Sequence, residues 1–298
     1  MWEFTDDTEQ ALRVAHRPRR VVAYVRAGAA LHDLGVAPVA VYGSGHDGDR
    51  LDPAKAGALA TAGVPYLGPG KDLTDDALRA LRPDLVVDVT YDGKNPYAVD
   101  RPLAAPLLVL SVGGTSLPAI LSRFGALASA LRPPAPTPGD RTAALGAAER
   151  AVREALAPAA AGARVLALSG ADARQVHLAR PGTWPELCHL ARLGVRLVDP
   201  AELGPGGGVN WFTTDWEHVA RLRPDLLLVD TRAHAAPPPA GTGWATTPWS
   251  PETPPSPAAY AGFLHAVAEG LTAHTRNDTG HGTRNDTRSD QGHTRQYG

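Results

Sequence analysis

A repeat constrains this chain more than any other feature. RVVAYV (20–25), LGV (34–36) and LRPDLVVDVT (81–90) return in the same order as RVLALS (164–169), LGV (193–195) and LRPDLLLVDT (222–231). Further short apolar runs, PVAVY (38–42), LLVL (107–110) and VRLVD (195–199), alternate with stretches of helical periodicity. Strand-length runs separated by helices build parallel sheets in α/β folds, because each parallel pairing needs a crossover helix to bring the chain back. The echo therefore predicts two similar α/β lobes with parallel sheets, an N-terminal one over 1–115 and a C-terminal one over 161–272.

Residues 116–160 connect the lobes. LPAILSRFGALASAL (117–131) and GDRTAALGAAERAVREALAPA (139–159) read as two helices broken by RPPAPTPG (132–139). The second is long enough, at about 1.5 Å per residue, to run about 30 Å along both lobes as a spine. After residue 272 the composition changes. TRNDT occurs at 275 and again at 283, and apolar residues almost vanish, so 273–298 is expected to be a disordered tail that cannot repay the entropy of ordering. Helix starts are expected at Thr74, ahead of Asp75 and Asp76, and at two capping boxes, Thr183 with Glu186 and Thr214 with Glu217.

Several function classes are disfavoured. A formal charge of −2 with dispersed arginines offers no general nucleic-acid surface. One cysteine, Cys188, excludes an internal disulfide and a cysteine metal cluster. It is no catalytic partner for His189, since adjacent helical residues point about 100° apart. No G-x-S-x-G, P-loop or H-E-x-x-H pattern occurs, so no catalytic residues are assigned. MWEFTDDTEQ has neither a basic n-region nor an apolar h-region, and no run approaches 18 apolar residues. As written the chain is expected in the cytoplasm without membrane insertion; removal of a signal peptide would instead place it outside the cell or anchored to the membrane.

VAVYGSGHDGD (39–49) contains the G-x-G-x-x-G of dinucleotide sites in Gly43, Gly45 and Gly48. That motif works only when a helix follows at once and its N-terminus meets the pyrophosphate. Here Pro53 delays the helix, and Asp47 and Asp49 put negative charge where phosphates would lie, which argues against a nucleotide. His46 with these two acids is a weak metal candidate, better read as solvated.

Ligands of open α/β sheets bind beyond the carboxyl ends of the strands. That rule selects Tyr24 and Arg26 after the first strand, Tyr42 and His46 after the second, and Tyr91 and Lys94 in VTYDGKNPYAVD (89–100). In the second lobe it selects Arg174, Trp211 behind the glycines of GPGGGVNWFTTDW (204–216), and Arg232. Arg26 and Arg232, from opposite lobes, are expected to pinch an anionic small-molecule ligand; no resident metal is expected.

The ordered series FTDD (4–7), RPRRVVAY (17–24), ALHDLGVAPVAVYG (30–43), LTDDALRALRPDLVV (73–87) and LRPDLLLVD (222–230) resembles the class III periplasmic substrate-binding proteins of ABC importers, which serve ferric siderophores, haem and cobalamin. The resemblance covers about residues 2–272. It implies two Rossmann-like lobes on a rigid connecting helix, little hinge motion, and an iron–siderophore complex in the cleft. Iron would then be part of the cargo, not a cofactor, and an ABC permease would be the partner of an exported form. Glu186 resembles the surface acid with which such proteins grip a permease arginine, although its place in a capping box needs no partner. The alternative is a cytoplasmic enzyme or biosynthetic accessory protein that reuses the same cleft, with His46 or His234 as acid or base.

Overall fold

The computed structural model describes residues 1–99, 103, 105–132, 142–156, 162–204 and 207–282. The chain opens with an antiparallel hairpin, β1 (Trp2–Thr5) and β2 (Ala11–Val14). The N-terminal lobe follows as β3 (Val21–Tyr24), α1 (Val25–Asp33), β4 (Ala40–Gly43), α2 (Pro53–Ala56), β5 (Tyr66–Pro69), α3 (Asp75–Leu81), β6 (Leu85–Thr90) and β7 (Leu107–Ser111). Its sheet has the order β5-β4-β3-β6-β7 and is parallel throughout. Every residue of β3 and β6 is buried, as expected of central strands covered on both faces. Gly28 lets α1 lie close on the sheet, because a Cβ there would meet Val41 Cγ1 at 2.6 Å. The acids of FTDD fasten the hairpin: Asp6 Oδ2 accepts Val109 N–H, and Asp7 Oδ1 accepts Arg123 Nε–H at 2.6 Å.

α4 (Leu117–Leu131) and α5 (Ala143–Ala155) lead into the C-terminal lobe. It comprises β8 (Arg164–Gly170), β9 (Gln175–Ala179), α6 (Pro185–Leu193), β10 (Arg196–Leu197), β11 (Trp211–Asp215), α7 (Trp216–Leu222), β12 (Leu226–Asp230), β13 (Ala245–Trp249) and α8 (Pro257–Gly282). Here the expectation of a second parallel sheet is corrected. The order is β11-β9-β8-β12-β13, with the two residues of β10 also on β8; β9 runs antiparallel to both β8 and β11. Residues 171–174 are too few for a crossover helix, and Asp172 Oδ1 closes them into a turn by accepting Arg174 N–H and Gln175 N–H.

The LRPD echo has a local meaning. Arg82 and Arg223 end α3 and α7 in the left-handed conformation, with φ of 46° and 48°. Asp84 and Asp225, two residues on, accept backbone N–H groups of Arg20 and Arg164 at the starts of the first strand of each lobe. Those arginines return the bond, each donating from Nε and Nη2 to the terminal helix carbonyl, Leu81 O or Leu222 O.

The connecting helices correct the spine reading. α4, 15 residues and about 22 Å long, joins the lobes: Ile120, Phe124, Leu127 and Leu131 pack in the N-terminal core, Leu117 and Leu121 in the C-terminal one. α5 is 13 residues long, and its buried Ala148 and Val152 belong to the C-terminal core, where it packs along α8. Residues 133–139 of the proline-rich break lie outside the described residues. α8 carries on to Gly282, ten residues beyond the expected end of the lobe at 272, and the remainder of the expected tail, 283–298, lies outside the described residues.

Of the expected caps, Thr74 holds, accepting Ala77 N–H. α7 is capped one residue later than expected, by Asp215 accepting His218 N–H. α6 has Trp184 at its N-cap and no side-chain cap, so Glu186 is released for another role.

Candidate functional site

After β13 the chain turns through SPETPPS (250–256) and lays this segment across the strand ends of the N-terminal lobe. Glu252, 3% exposed, is its centre. It accepts a hydrogen bond from Tyr24 Oη, meets Lys55 Nζ at 2.9 Å, and takes Arg232 Nη1–H at 3.0 Å. Burial alone would raise the Glu252 pKa, but the charge of Lys55, the Tyr24 hydrogen bond and the charge of Arg232 hold it below the ordinary value. Lys55 also meets Asp47 at 2.7 Å, and Arg232 forks onto Asp230 with Nε and Nη2. Arg26 Nε–H donates to Thr253 O at 3.0 Å, and Asp52 Oδ2 accepts Ala233 N–H across the lobes. A buried, charge-paired polar network thus rivets the lobes below the cleft.

Above the rivet lie two compartments that share Tyr91, Trp184, Asn210 and Pro251. The larger, about 780 Å³, takes His46 and Tyr97 from the N-terminal lobe and His177, Trp211, Arg232 and His234 from the C-terminal lobe. Its aromatic wall is built from edge contacts, with ring centroids of Trp184 and Trp211 at 4.9 Å and of Tyr91 and Tyr97 at 4.8 Å. His234 is held below its ordinary pKa by burial and then by the charge of Arg232. The smaller compartment, about 420 Å³, is lined by Arg26, Gly113, Thr115, Glu186 and Cys188 besides the shared residues. A concave, partly aromatic cavity of this size with few converging polar groups is the form a small-molecule site takes.

The predicted residues separate into three groups. His46, Tyr91, Trp211 and Arg232 line the larger compartment, and Arg26 with Tyr91 the smaller. Tyr24 and Tyr42 are fully buried beneath the cleft floor, because their strands end inside the core; Tyr24 serves Glu252, and Tyr42 Oη donates to Val87 O. Lys94 and Arg174 stand exposed in turns organised by Asp92 and Asp172 and border neither compartment. Arg26 and Arg232 do come from opposite lobes, but their guanidinium groups already serve Thr253, Tyr91, Asp230 and Glu252, so the expected free pinch is replaced by a seam. Trp211, behind the glycines, is the first residue of β11.

The glycine motif cradles no phosphate: the Asp47 carboxylate fills the turn, accepting Ser44 N–H and Oγ–H, and Lys55 neutralises it. Cys188 and His189 diverge, the first toward the smaller compartment and the second to Glu149 Oε1 at 2.9 Å. Glu252, Lys55, Trp184 and His177 were not singled out in the sequence. Glu252 is embedded in a proline-rich turn signal, and nothing local marks such an acid as buried. Among the described residues no group of three or more His, Cys, Asp or Glu is placed to hold a metal ion, and no helix is long and apolar enough to cross a membrane.

No protein-family model and no curated protein matches the sequence. The structure, in contrast, is similar to solved receptors. DesE, a ferric-siderophore receptor protein from Streptomyces coelicolor, superposes with a TM-score of 0.77 at 25% identity, covering 91% of this chain and 98% of that one. The periplasmic haem-binding protein RhuT from Roseiflexus sp. RS-1 gives 0.58 at 20%, over 86% and 99%. FhuD2 from Staphylococcus aureus, solved with bound ferrioxamine B, gives 0.54 at 16%, over 86% and 99%. With two α/β lobes, a helix shared by both cores and a superposition that covers nearly the whole length of these receptors, this chain has the fold of the class III substrate-binding proteins.

Proposed function

We propose that the protein binds a ferric-siderophore complex in the larger compartment, without chemically transforming it. The observation that carries this reading is the compartment itself: about 780 Å³ between lobes joined by α4 and the Glu252 network, walled by Trp184, Trp211, Tyr91 and Tyr97, on a fold similar to a ferric-siderophore receptor at 25% identity. Aromatic faces accommodate the apolar exterior of a wrapped metal complex, while the His234 imidazole offers a polar contact at its rim. The iron arrives inside the cargo, so the protein needs no ligands of its own for it. A membrane permease would be the acceptor, and co-purification with an ABC permease tests that part separately.

Tryptophan fluorescence provides the test, since Trp184 and Trp211 line the compartment. Titration with a ferric hydroxamate, a ferric catecholate and haem should give saturable quenching by a ferric siderophore. Trp211→Ala should weaken that binding roughly tenfold to fiftyfold, from lost aromatic contact and burial. Tight binding of haem with none of either siderophore would reassign the cargo. Turnover of the bound molecule would reassign the protein to the enzyme class.

A further inference from the structure

We propose that Glu186 is the counter-charge for a cationic group of the bound ligand, so that the smaller compartment selects complexes bearing a pendant alkylammonium over the same complexes without one. This rests on the reading of the cleft as a ligand site and deepens it.

Glu186 is the second residue of α6 and only 2% exposed, yet it lines the cavity of about 420 Å³. Its Oε1 accepts Trp249 Nε1–H at 3.2 Å, whereas Oε2 has no hydrogen-bond partner. A buried carboxylate oxygen left unpaired costs free energy that a bound donor recovers. Arg26, the cation facing the same compartment, does not fill this role: its Nε–H goes to Thr253 O and its Nη1–H to Tyr91 Oη. Burial pushes the Glu186 pKa up, opposed by Arg26, by the residue's own N–H and by the Trp249 bond; a ligand cation would tip the balance to the carboxylate.

The charges around the cleft point the same way. Among the described residues of the seam and the smaller compartment, the carboxylates Asp47, Asp52, Glu186, Asp230 and Glu252 outnumber the cations Arg26, Lys55 and Arg232, and Lys55 and Arg232 are paired with these carboxylates. A strongly anionic ligand would add to this excess, and one carrying a positive group relieves it. The two compartments share Tyr91, Trp184, Asn210 and Pro251 and therefore adjoin, so a side arm of a complex seated in the larger one has only these residues to pass to reach the smaller.

The test uses the full chain and two probes, ferrioxamine B, a linear trihydroxamate complex ending in a primary amine, and its N-acetyl derivative. Wild type should favour the amine tenfold or more, the range of a charge-assisted hydrogen bond. Glu186→Gln preserves shape and the acceptor for Trp249 but carries no charge, and should reduce the preference to twofold or less. The readout is the ratio of the two affinities within each protein, which a general loss of binding leaves alone. Equal affinities in wild type, or a preference that survives Glu186→Gln, would overturn the proposal while leaving the siderophore reading intact. Should neither complex bind, the siderophore reading is left to the catecholate titration, and pentylammonium chloride decides the inference alone: saturable quenching in wild type that is lost in Glu186→Gln supports it, and absence of binding refutes it.

Discussion

The two lobes begin alike and end differently. Up to the last strand residue, each has the same buried strands, the same Leu-Arg-Pro-Asp turn and the same arginine clasp onto a helix end. Beyond the strands, the N-terminal lobe keeps its parallel winding and offers tyrosines. The C-terminal lobe folds back through β9 and β11, bringing Trp184, Trp211 and His177 to the cleft. The shared part is scaffold, set by local sequence. What differs is the ligand wall, together with the 250–256 segment that crosses from one lobe into the other.

The largest expected effect breaks that crossing. Lys55→Ala or Glu252→Ala removes one partner from a buried charge cluster, at a cost of about 3–5 kcal/mol, and should lower the melting temperature by on the order of 10 °C in calorimetry. A loss under about 1 kcal/mol would mean that the lobes are held by α4 and the remaining contacts of the seam.

Acid sharpens the contrast between seam and lobe. Glu252 has a depressed folded pKa, so its contribution is present above the ordinary carboxylate pKa and is lost as pH falls through the folded value. Asp88, buried in β6, is pushed up by desolvation to about 6 despite N–H bonds from Val89, Ala98 and Val99. Its sign is the reverse: stability is full below its unfolded pKa and is lost as pH rises through about 6, by roughly 3 kcal/mol at most. Denaturant unfolding followed from pH 3 to 8 should therefore show Asp88→Asn flattening the loss between about pH 4 and 6, while Glu252→Gln flattens the loss at the acid end. Superimposable pH profiles for wild type and both variants would remove both assignments.

The repeated clasp gives a smaller, paired effect. Arg164→Ala should cost about 1–2 kcal/mol and Arg20→Ala less than about 1, since Arg20 is exposed and Arg164 only half so. Equal costs would show that exposure does not separate the two copies. Smallest of all, Arg82→Gly and Arg223→Gly should each stabilise by about 0.5–1 kcal/mol in urea titrations, because glycine accepts the left-handed conformation without penalty. Destabilisation by either would show that its side chain matters more than its backbone.

Much of the scaffold was legible because it is local. The apolar runs at 21–24, 85–90, 107–111, 164–170 and 226–230 are strands, and the Thr74 cap lies where its spacing puts it. β9 (QVHLA) is too short and too polar to stand out as an apolar run, and its antiparallel direction follows from the brevity of the 171–174 link. Site residues were legible by position along the chain but not by depth. Tyr24 and Trp211 both fall near strand ends, and only packing decides that one lies under the floor and the other on the wall.

By itself the sequence determined the two α/β lobes, their matched turns and the strand ends from which a site must be drawn, because hydrophobic period, proline and capping act over a few residues. Tertiary structure alone decided which arginines remain available, that Glu252 rivets the lobes, and that Glu186 turns from a helix cap into the cleft. Those outcomes depend on groups as far apart in the chain as Tyr24 and Glu252, and burial and charge pairing at that separation exist only once the lobes have come together.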